Sequence, residues 1–139
     1  MEEFSVLLVD DEEDFLRTII KRLSKRGIRA QGASRGEQAL AMLAEEARDV
    51  VVLDVKMPGM DGIEVLKRIK AQWPTTEVIM LTGHASIDAA MEGMGCGAFD
   101  YLMKPADLED LLYKLEDAYR KKTLNERRQA NGSAADGQA

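Results

Sequence analysis

The stretch Val50-Val51-Val52-Leu53-Asp54-Val55-Lys56-Met57-Pro58-Gly59-Met60-Asp61-Gly62 decides how the rest of the chain is read. Four apolar residues, three of them β-branched, form the unbroken run that a strand buried on both faces needs, as in a parallel sheet covered by helices. Asp54 ends that run. A carboxylate inside an apolar layer is costly, so Asp54 belongs at the carboxyl end of the strand, where open α/β sheets place their ligands. Pro58 and Gly59 turn the chain, and Asp61 with Glu64 has the spacing of a capping box. The helix it opens carries Ile63, Leu66 and Ile69 on one face.

The same strand-then-helix alternation repeats on either side. Phe4 to Val9 reads as a buried strand that runs into the acidic cluster Asp10-Asp11-Glu12-Glu13-Asp14, then a helix with Phe15, Ile19, Ile20 and Leu23 inward, stopped by Gly27. Ile28 to Ala33 has the low apolar content of an edge strand. Ser34 with Glu37 is a second capping box, opening a helix of Leu40, Leu43 and Ala47. After Asp61's helix, Trp73-Pro74 closes, and Glu77 to Leu81 forms a fourth strand ending at Thr82. Ser86 opens a helix that stops in the Gly93 to Gly97 cluster, and Ala98 to Met103 is a fifth strand ending at Lys104-Pro105. Asp107 and Asp110 start the last helix, which buries Leu108, Leu111, Leu112, Leu115 and Tyr119. Its basic end, including Lys121 and Lys122, fits a helix C-terminus that complements the dipole.

Five such units imply an α/β domain of flavodoxin-like (βα)5 type: a doubly wound parallel sheet of strand order 2-1-3-4-5 in three layers, joined by right-handed crossovers. The domain spans residues 1–122. Residues 123–139 read as a helix extension and a polar, small-residue, disordered tail.

Composition narrows the function. The chain has 139 residues, 45% of them hydrophobic, which suits one domain with a real core. Its 25 acidic against 19 basic residues, net −6, argue against a nucleic-acid surface. No apolar run approaches a membrane span, and Met1-Glu2-Glu3 lacks the marks of a signal peptide, so a cytoplasmic location is expected. Cys96 is the only cysteine, a space-filler between glycines that leaves no disulfide or cysteine zinc site.

With strand order 2-1-3-4-5 the switch point brings Asp10, Asp11 and Asp54 into one crevice at the carboxyl edge. Three close carboxylates either raise a pKa or bind a cation, and an all-oxygen set suits a hard ion, magnesium or manganese, that keeps water ligands. Calcium would need more ligands than these. Thr82 and Lys104 close the next two strands at the same edge, where a hydroxyl and an ammonium would clamp a phosphoryl group on Asp54. Each residue alone has an ordinary use as a cap or a surface group; those uses do not explain why all five meet at one edge of one sheet.

From about Phe4 to Tyr119 the chain resembles the receiver domain of two-component response regulators, including the stand-alone chemotaxis type. The matching features are Asp10-Asp11, the motif around Asp54 with Pro58 and Gly59, Thr82-Gly83, the aromatic Tyr101, and Lys104-Pro105. The resemblance implies that Asp54 takes a phosphoryl group from a phosphohistidine of a sensor histidine kinase or histidine phosphotransfer protein. It implies magnesium on Asp11, Asp54 and the main-chain carbonyl of Lys56, with Asp10 acting through water, Lys104 and Thr82 on the phosphoryl oxygens, and a cis bond before Pro105. A switch is implied too: Thr82 moves toward the phosphate, Tyr101 turns inward, and the face of the fourth helix, fifth strand and fifth helix changes its partners.

Two other classes fit less well. A haloacid-dehalogenase-type phosphatase needs a second Asp two residues after the nucleophile, where Lys56 stands. A flavodoxin-like cofactor binder needs a phosphate-cradling loop after the first strand, where this chain is acidic. No independent enzyme activity is expected beyond help with its own phosphorylation and dephosphorylation. Only 20 residues follow Tyr119, too few for an output domain, so a stand-alone receiver that alters a downstream protein is expected, without nucleic-acid or membrane contacts. The alternative is a receiver excised from a longer regulator. Weak self-association through the fourth-helix to fifth-helix face is also expected. The resemblance also implies that Lys56 and His84, each two residues past a site residue, flank the approach to the phosphoryl group, which makes them candidates for setting its lifetime.

Overall fold

The computed structural model describes residues 4–57 and 59–138, apart from the side chains of His84 and of residues 131–138. Pro58 therefore lies outside the described residues. The elements run β1 (Ser5–Val9), α1 (Glu13–Lys25), β2 (Arg29–Ala33), α2 (Gly36–Glu45), β3 (Val50–Asp54), α3 (Gly62–Gln72), β4 (Glu77–Thr82), α4 (Ile87–Gly95), β5 (Asp100–Met103) and α5 (Leu108–Gln138), with a 3-10 turn at His84–Ser86 before α4. All strand pairs are parallel and the order is β2-β1-β3-β4-β5, the flavodoxin-like order expected.

The sheet is covered on both sides, which is why its central strands are apolar without interruption. Successive residues face opposite ways along a strand. Val6, Leu8, Val50, Val52, Ile79 and Leu81 pack with Leu16, Ile19 and Leu23 of α1 and Leu111 and Leu115 of α5. The alternate residues Leu7, Val9, Val51, Leu53, Val78 and Met80 pack with Leu43 of α2 and with Ile63, Leu66 and Ile69 of α3. Every residue of β3 and β4 is buried. Each fully buried Val or Leu contributes roughly 1.5–3 kcal/mol.

The helix ends are set by particular residues. Gly27 takes φ +78, a left-handed conformation that costs glycine nothing, and stops α1. Asp61 caps α3, its side chain accepting from the Ile63 N–H at 3.3 Å. Asp107 starts α5 by accepting from the Glu109 N–H at 3.0 Å.

Four local expectations are corrected. Ser34 and Glu37 form no capping box: α2 begins at Gly36, and the Ser34 N–H and hydroxyl both reach Gln38 Oε1. Ala47 lies past the end of α2. Ser86 makes no side-chain cap, because the 3-10 turn precedes α4. The helix extension expected from 123 is present, and the helix runs on as far as Gln138 where a polar, disordered tail was expected from Asn131. No proline interrupts it, and Lys, Arg, Gln, Glu and Ala outweigh the cost of Gly132 and Gly137, about 1 kcal/mol each.

That long helix also removes the dipole reading of Lys121 and Lys122, which sit in mid-helix and bind acids instead. Lys122 contacts Asp49 at 2.6 Å and Lys121 contacts the buried Glu77 at 3.3 Å, at the amino edge of the sheet. Among the described residues no helix is long and apolar enough to cross a membrane.

Candidate functional site

Register sets the site. Val9 pairs with Leu53 and Asp54 with Leu81, so Asp10 and Asp54 leave adjacent strands side by side. Thr82 pairs with Met103, and the Lys104 N–H donates to the Thr82 carbonyl at 2.7 Å, which brings the lysine to the same edge. Oxygens of Asp10, Asp11 and Asp54 all lie within 4.8 Å of one another. Asp10 and Asp54 are buried, at 1% and 6% exposure, whereas Asp11 is exposed and opens the cluster to solvent.

Each buried carboxylate has one oxygen fixed by backbone and one by Lys104. Asp10 Oδ1 accepts from the Glu12 N–H at 2.9 Å, and Asp54 Oδ1 from the Lys56 N–H at 3.1 Å. Lys104 Nζ donates to Asp10 Oδ2 at 2.8 Å and to Asp54 Oδ2 at 3.3 Å, and the Lys104–Pro105 bond is cis. Burial lifts the Asp54 carboxyl above its ordinary range, and the charge of Asp10 adds to the effect; the Lys56 N–H and Lys104 pull the other way without cancelling it. Burial alone would lower the Lys104 ammonium, but its contacts with Asp10 and Asp54 raise it.

The cluster is thus an all-oxygen donor set with one cation held inside it. A hard divalent ion fits such a set, since it takes carboxylate oxygens and keeps waters for the rest of its shell. Asp10, Asp11 and Asp54 are the side chains that lie close enough together to hold it.

Other expected residues stand apart from this cluster. Thr82 is fully buried on β4, and its hydroxyl donates to the Gly83 carbonyl at 3.1 Å. Tyr101 is half-buried on β5 and packs against the core on the α4 side of the sheet. The Lys56 side chain is exposed. Gly59 takes φ +86 in the turn after β3. The His84 side chain lies outside those described.

Three contributors were missed in the sequence. Glu12 Oε1 lies 3.6 Å from Lys104 Nζ, and the Phe15 ring centroid lies 5.4 Å from it, so α1 shapes the lysine's surroundings. Gly62 is the third. A Cβ there would sit 2.8 Å from the carbonyl oxygens of both Asp54 and Val55 and 2.9 Å from Val55 Cα, so a side chain would displace the backbone carrying the site. The only sequence signal was a glycine immediately after the capping Asp61.

The response regulator receiver domain family matches residues 6–116. The chain is 40% identical over 106 residues to the regulatory protein AtoC of Escherichia coli, covering 76% of this chain and 23% of that protein. It is 34% identical to the DNA-binding transcriptional regulator NtrC of Salmonella typhimurium over 98% of this chain and 30% of that one. The chain therefore spans less than a third of these relatives. A receiver domain protein from Clostridium thermocellum superposes with TM-score 0.83 at 36% identity, covering 87% of this chain and 98% of that one. NtrX from Brucella abortus superposes with TM-score 0.86 at 31% identity, over 92% of this chain and 30% of that one. With its five-stranded 2-1-3-4-5 sheet and its match over residues 6–116, the chain belongs to the receiver domain family of two-component response regulators.

Proposed function

We propose that Asp54 is the phosphoacceptor of this receiver. The observation that carries it is that Asp54 ends the central strand with one oxygen held by Lys104 at 3.3 Å and oxygens of Asp10 and Asp11 within reach. An Asp54 oxygen attacks the phosphorus of a phosphohistidine on a sensor kinase or histidine phosphotransfer protein. A P–O bond forms, the P–N bond breaks, and the imidazole leaves with the bonding pair and takes a proton.

Asp11, Asp54 and the Lys56 carbonyl, with Asp10 beside them, would hold magnesium or manganese, which would neutralise charge on the transferring group. Lys104 then has two roles. Before transfer it balances the acids; after transfer it holds a phosphoryl oxygen. Thr82, one residue beyond the Leu81 that pairs with Asp54, swings its hydroxyl from the Gly83 carbonyl to the phosphoryl group. Tyr101 moves inward into the space this leaves, and the α4–β5–α5 face changes. The chain acts as a phosphoacceptor regulator and catalyses nothing apart from its own modification and its loss.

A second reading concerns the whole protein. AtoC and NtrC are several times longer than this chain, and NtrC is by its name a DNA-binding transcriptional regulator. That coverage favours a receiver serving a longer regulator over a stand-alone one.

The test is transfer of labelled phosphate from an autophosphorylated sensor kinase. Label should pass to this chain only with a divalent cation, be released by hydroxylamine as an acyl phosphate is, and fail to reach Asp54→Asn. Label that resists hydroxylamine places it on another residue and rejects Asp54.

A further inference from the structure

We propose that Glu12 and Phe15, at the head of α1, are positioning residues for Lys104: together they form a second seat for its ammonium, to which the lysine withdraws when a divalent ion takes Asp10 and Asp54. This rests on the reading of the acidic cluster as the divalent-ion site of a phosphoacceptor, and it adds a control on that site's affinity.

Lys104 Nζ stands among three carboxylates at graded distances. It lies 2.8 Å from Asp10 Oδ2, 3.3 Å from Asp54 Oδ2 and 3.6 Å from Glu12 Oε1. The first two are hydrogen bonds to buried acids; the third is an ion pair still too long to be one. A lysine ammonium has three donors, so one remains to be committed. A divalent ion on the same oxygens would repel this ammonium at close range, and the lysine then needs somewhere else to put its charge.

The head of α1 offers that place. Glu12 and Phe15 are three residues apart and share one side of the first turn. The main chain of Glu12 is locked to the site, its N–H donating to Asp10 Oδ1 at 2.9 Å and its carbonyl accepting from the Leu16 N–H at 3.1 Å. Its side chain is not locked: it makes no cap for α1 and is 66% exposed. The Phe15 ring, half-buried against the core, has its centroid 5.4 Å from Lys104 Nζ, within the range of a cation over an aromatic face.

There is also room for the movement. A groove of about 520 Å³ is lined by Glu12, Phe15, Lys104 and Pro105 among others, and by neither Asp10 nor Asp54, so it opens on the side of the lysine away from the two acids. Arg22, the other cation lining it, is ten residues beyond Glu12, about 15 Å along the helix, which leaves the end near Lys104 acidic. Closing the 3.6 Å gap to Glu12 and settling over the ring are each modest gains, so the seat tunes affinity by a few-fold and does not create the site.

The experiment is calorimetric titration of the full chain with magnesium and no phosphoryl donor, so that its failure leaves the chemistry of Asp54 untouched. Glu12→Gln should weaken magnesium binding about threefold. Phe15→Leu should weaken it about twofold, with Phe15→Tyr restoring the wild-type value. In a Lys104→Met background Glu12→Gln should have no effect, because the lysine through which it acts is gone. Glu13→Gln removes the same charge one residue further on and should leave affinity nearly unchanged in both backgrounds. The lysine can also be followed directly. Its Hε proton signals, identified by their absence from Lys104→Met, should move upfield on addition of magnesium as they come over the ring, and should not do so in Phe15→Leu. Equal weakening by Glu12→Gln with and without Lys104 would reduce Glu12 to a general charge effect and overturn the proposal. Unchanged affinity in Glu12→Gln, or Lys104 signals that magnesium leaves in place, would overturn it as well. A wild-type chain that binds no magnesium would overturn it together with the metal reading of the cluster.

Discussion

Lys104 Nζ donates to Asp10 Oδ2 at 2.8 Å, joining residues 94 positions apart across the carboxyl edge of the sheet. The lysine thus occupies the charge balance that a divalent ion would otherwise supply, and the two compete. Removing the ammonium while keeping the stem, in Lys104→Met, should tighten magnesium binding about tenfold, a fraction of the interaction between unit charges about 4 Å apart near a surface. The same variant should lose the response of β5 to phosphorylation. Calorimetric titration with magnesium checks the first part. An unchanged or weaker affinity would show that Lys104 does not oppose the metal.

Asp54 should make the metal-free domain less stable at neutral pH than its amide would. Burial is the main cause that raises its folded pKa above the ordinary 3.8. The folded chain therefore keeps this proton to higher pH than the unfolded chain does. Stability from this group is lost as pH rises from the ordinary value through the raised one. Asp54→Asn removes that loss, and Lys104 keeps Asp10 as its partner. Urea denaturation at pH 7 in chelator should show Asp54→Asn more stable than wild type, with the gain shrinking toward about pH 4. A gain that is constant with pH would show that ionisation is not its source.

Gly62→Ala should damage the site more than the fold. The new Cβ would be 2.8 Å from the Asp54 and Val55 carbonyl oxygens, which must shift, and they belong to the backbone segment that carries Asp54 and Lys56. Overpacking of this kind costs roughly 1–3 kcal/mol. Magnesium binding should fall by about tenfold or more, as expected when a site loses its geometry. Gly95→Ala, where a Cβ meets nothing within 4 Å, is the control. Lower thermal stability with unchanged magnesium affinity would reduce Gly62 to a packing role.

The architecture was largely legible because its signals are local. The run Val50 to Leu53 needs both faces covered, and the acids of strands 1 and 3 could be placed together from strand order alone. The Ser34 box failed because a capping motif states only that a bond is available: Gln38, one residue further on than Glu37, won the competition for Ser34. Gly62 and Glu12 were hidden for a different reason, since a forbidden Cβ or a 3.6 Å contact to a lysine far along the chain exists only in three dimensions. Lys121 and Lys122 were misread because the acids they bind, Glu77 and Asp49, lie at the start of distant strands and carry no sequence mark.

Lys56 should lengthen the life of the phosphoryl group. Its N–H is used by Asp54 Oδ1 at 3.1 Å, and its exposed side chain is free to cover the phosphate. Water attacking in line meets that side chain first, whereas an amide could orient the water. Lys56→Asn should speed loss of phosphate several-fold with magnesium affinity nearly unchanged. Trp73 caps α3 four residues before Glu77 begins β4, so it lies toward the amino edge, far from Asp54 at the carboxyl edge, and intact mass over time is the proper readout. Equal decay in the two proteins would leave Lys56 without a shielding role.

The central claim is that Asp54, set between Lys104 and the Asp10–Asp11 pair, is the phosphoacceptor. The most direct measurement is intact mass after incubation with acetyl phosphate and magnesium. The account predicts one added phosphoryl group on the wild-type chain, none without a divalent cation, and none on Asp54→Ala. An undiminished adduct on Asp54→Ala, or no adduct on the wild type, would contradict it.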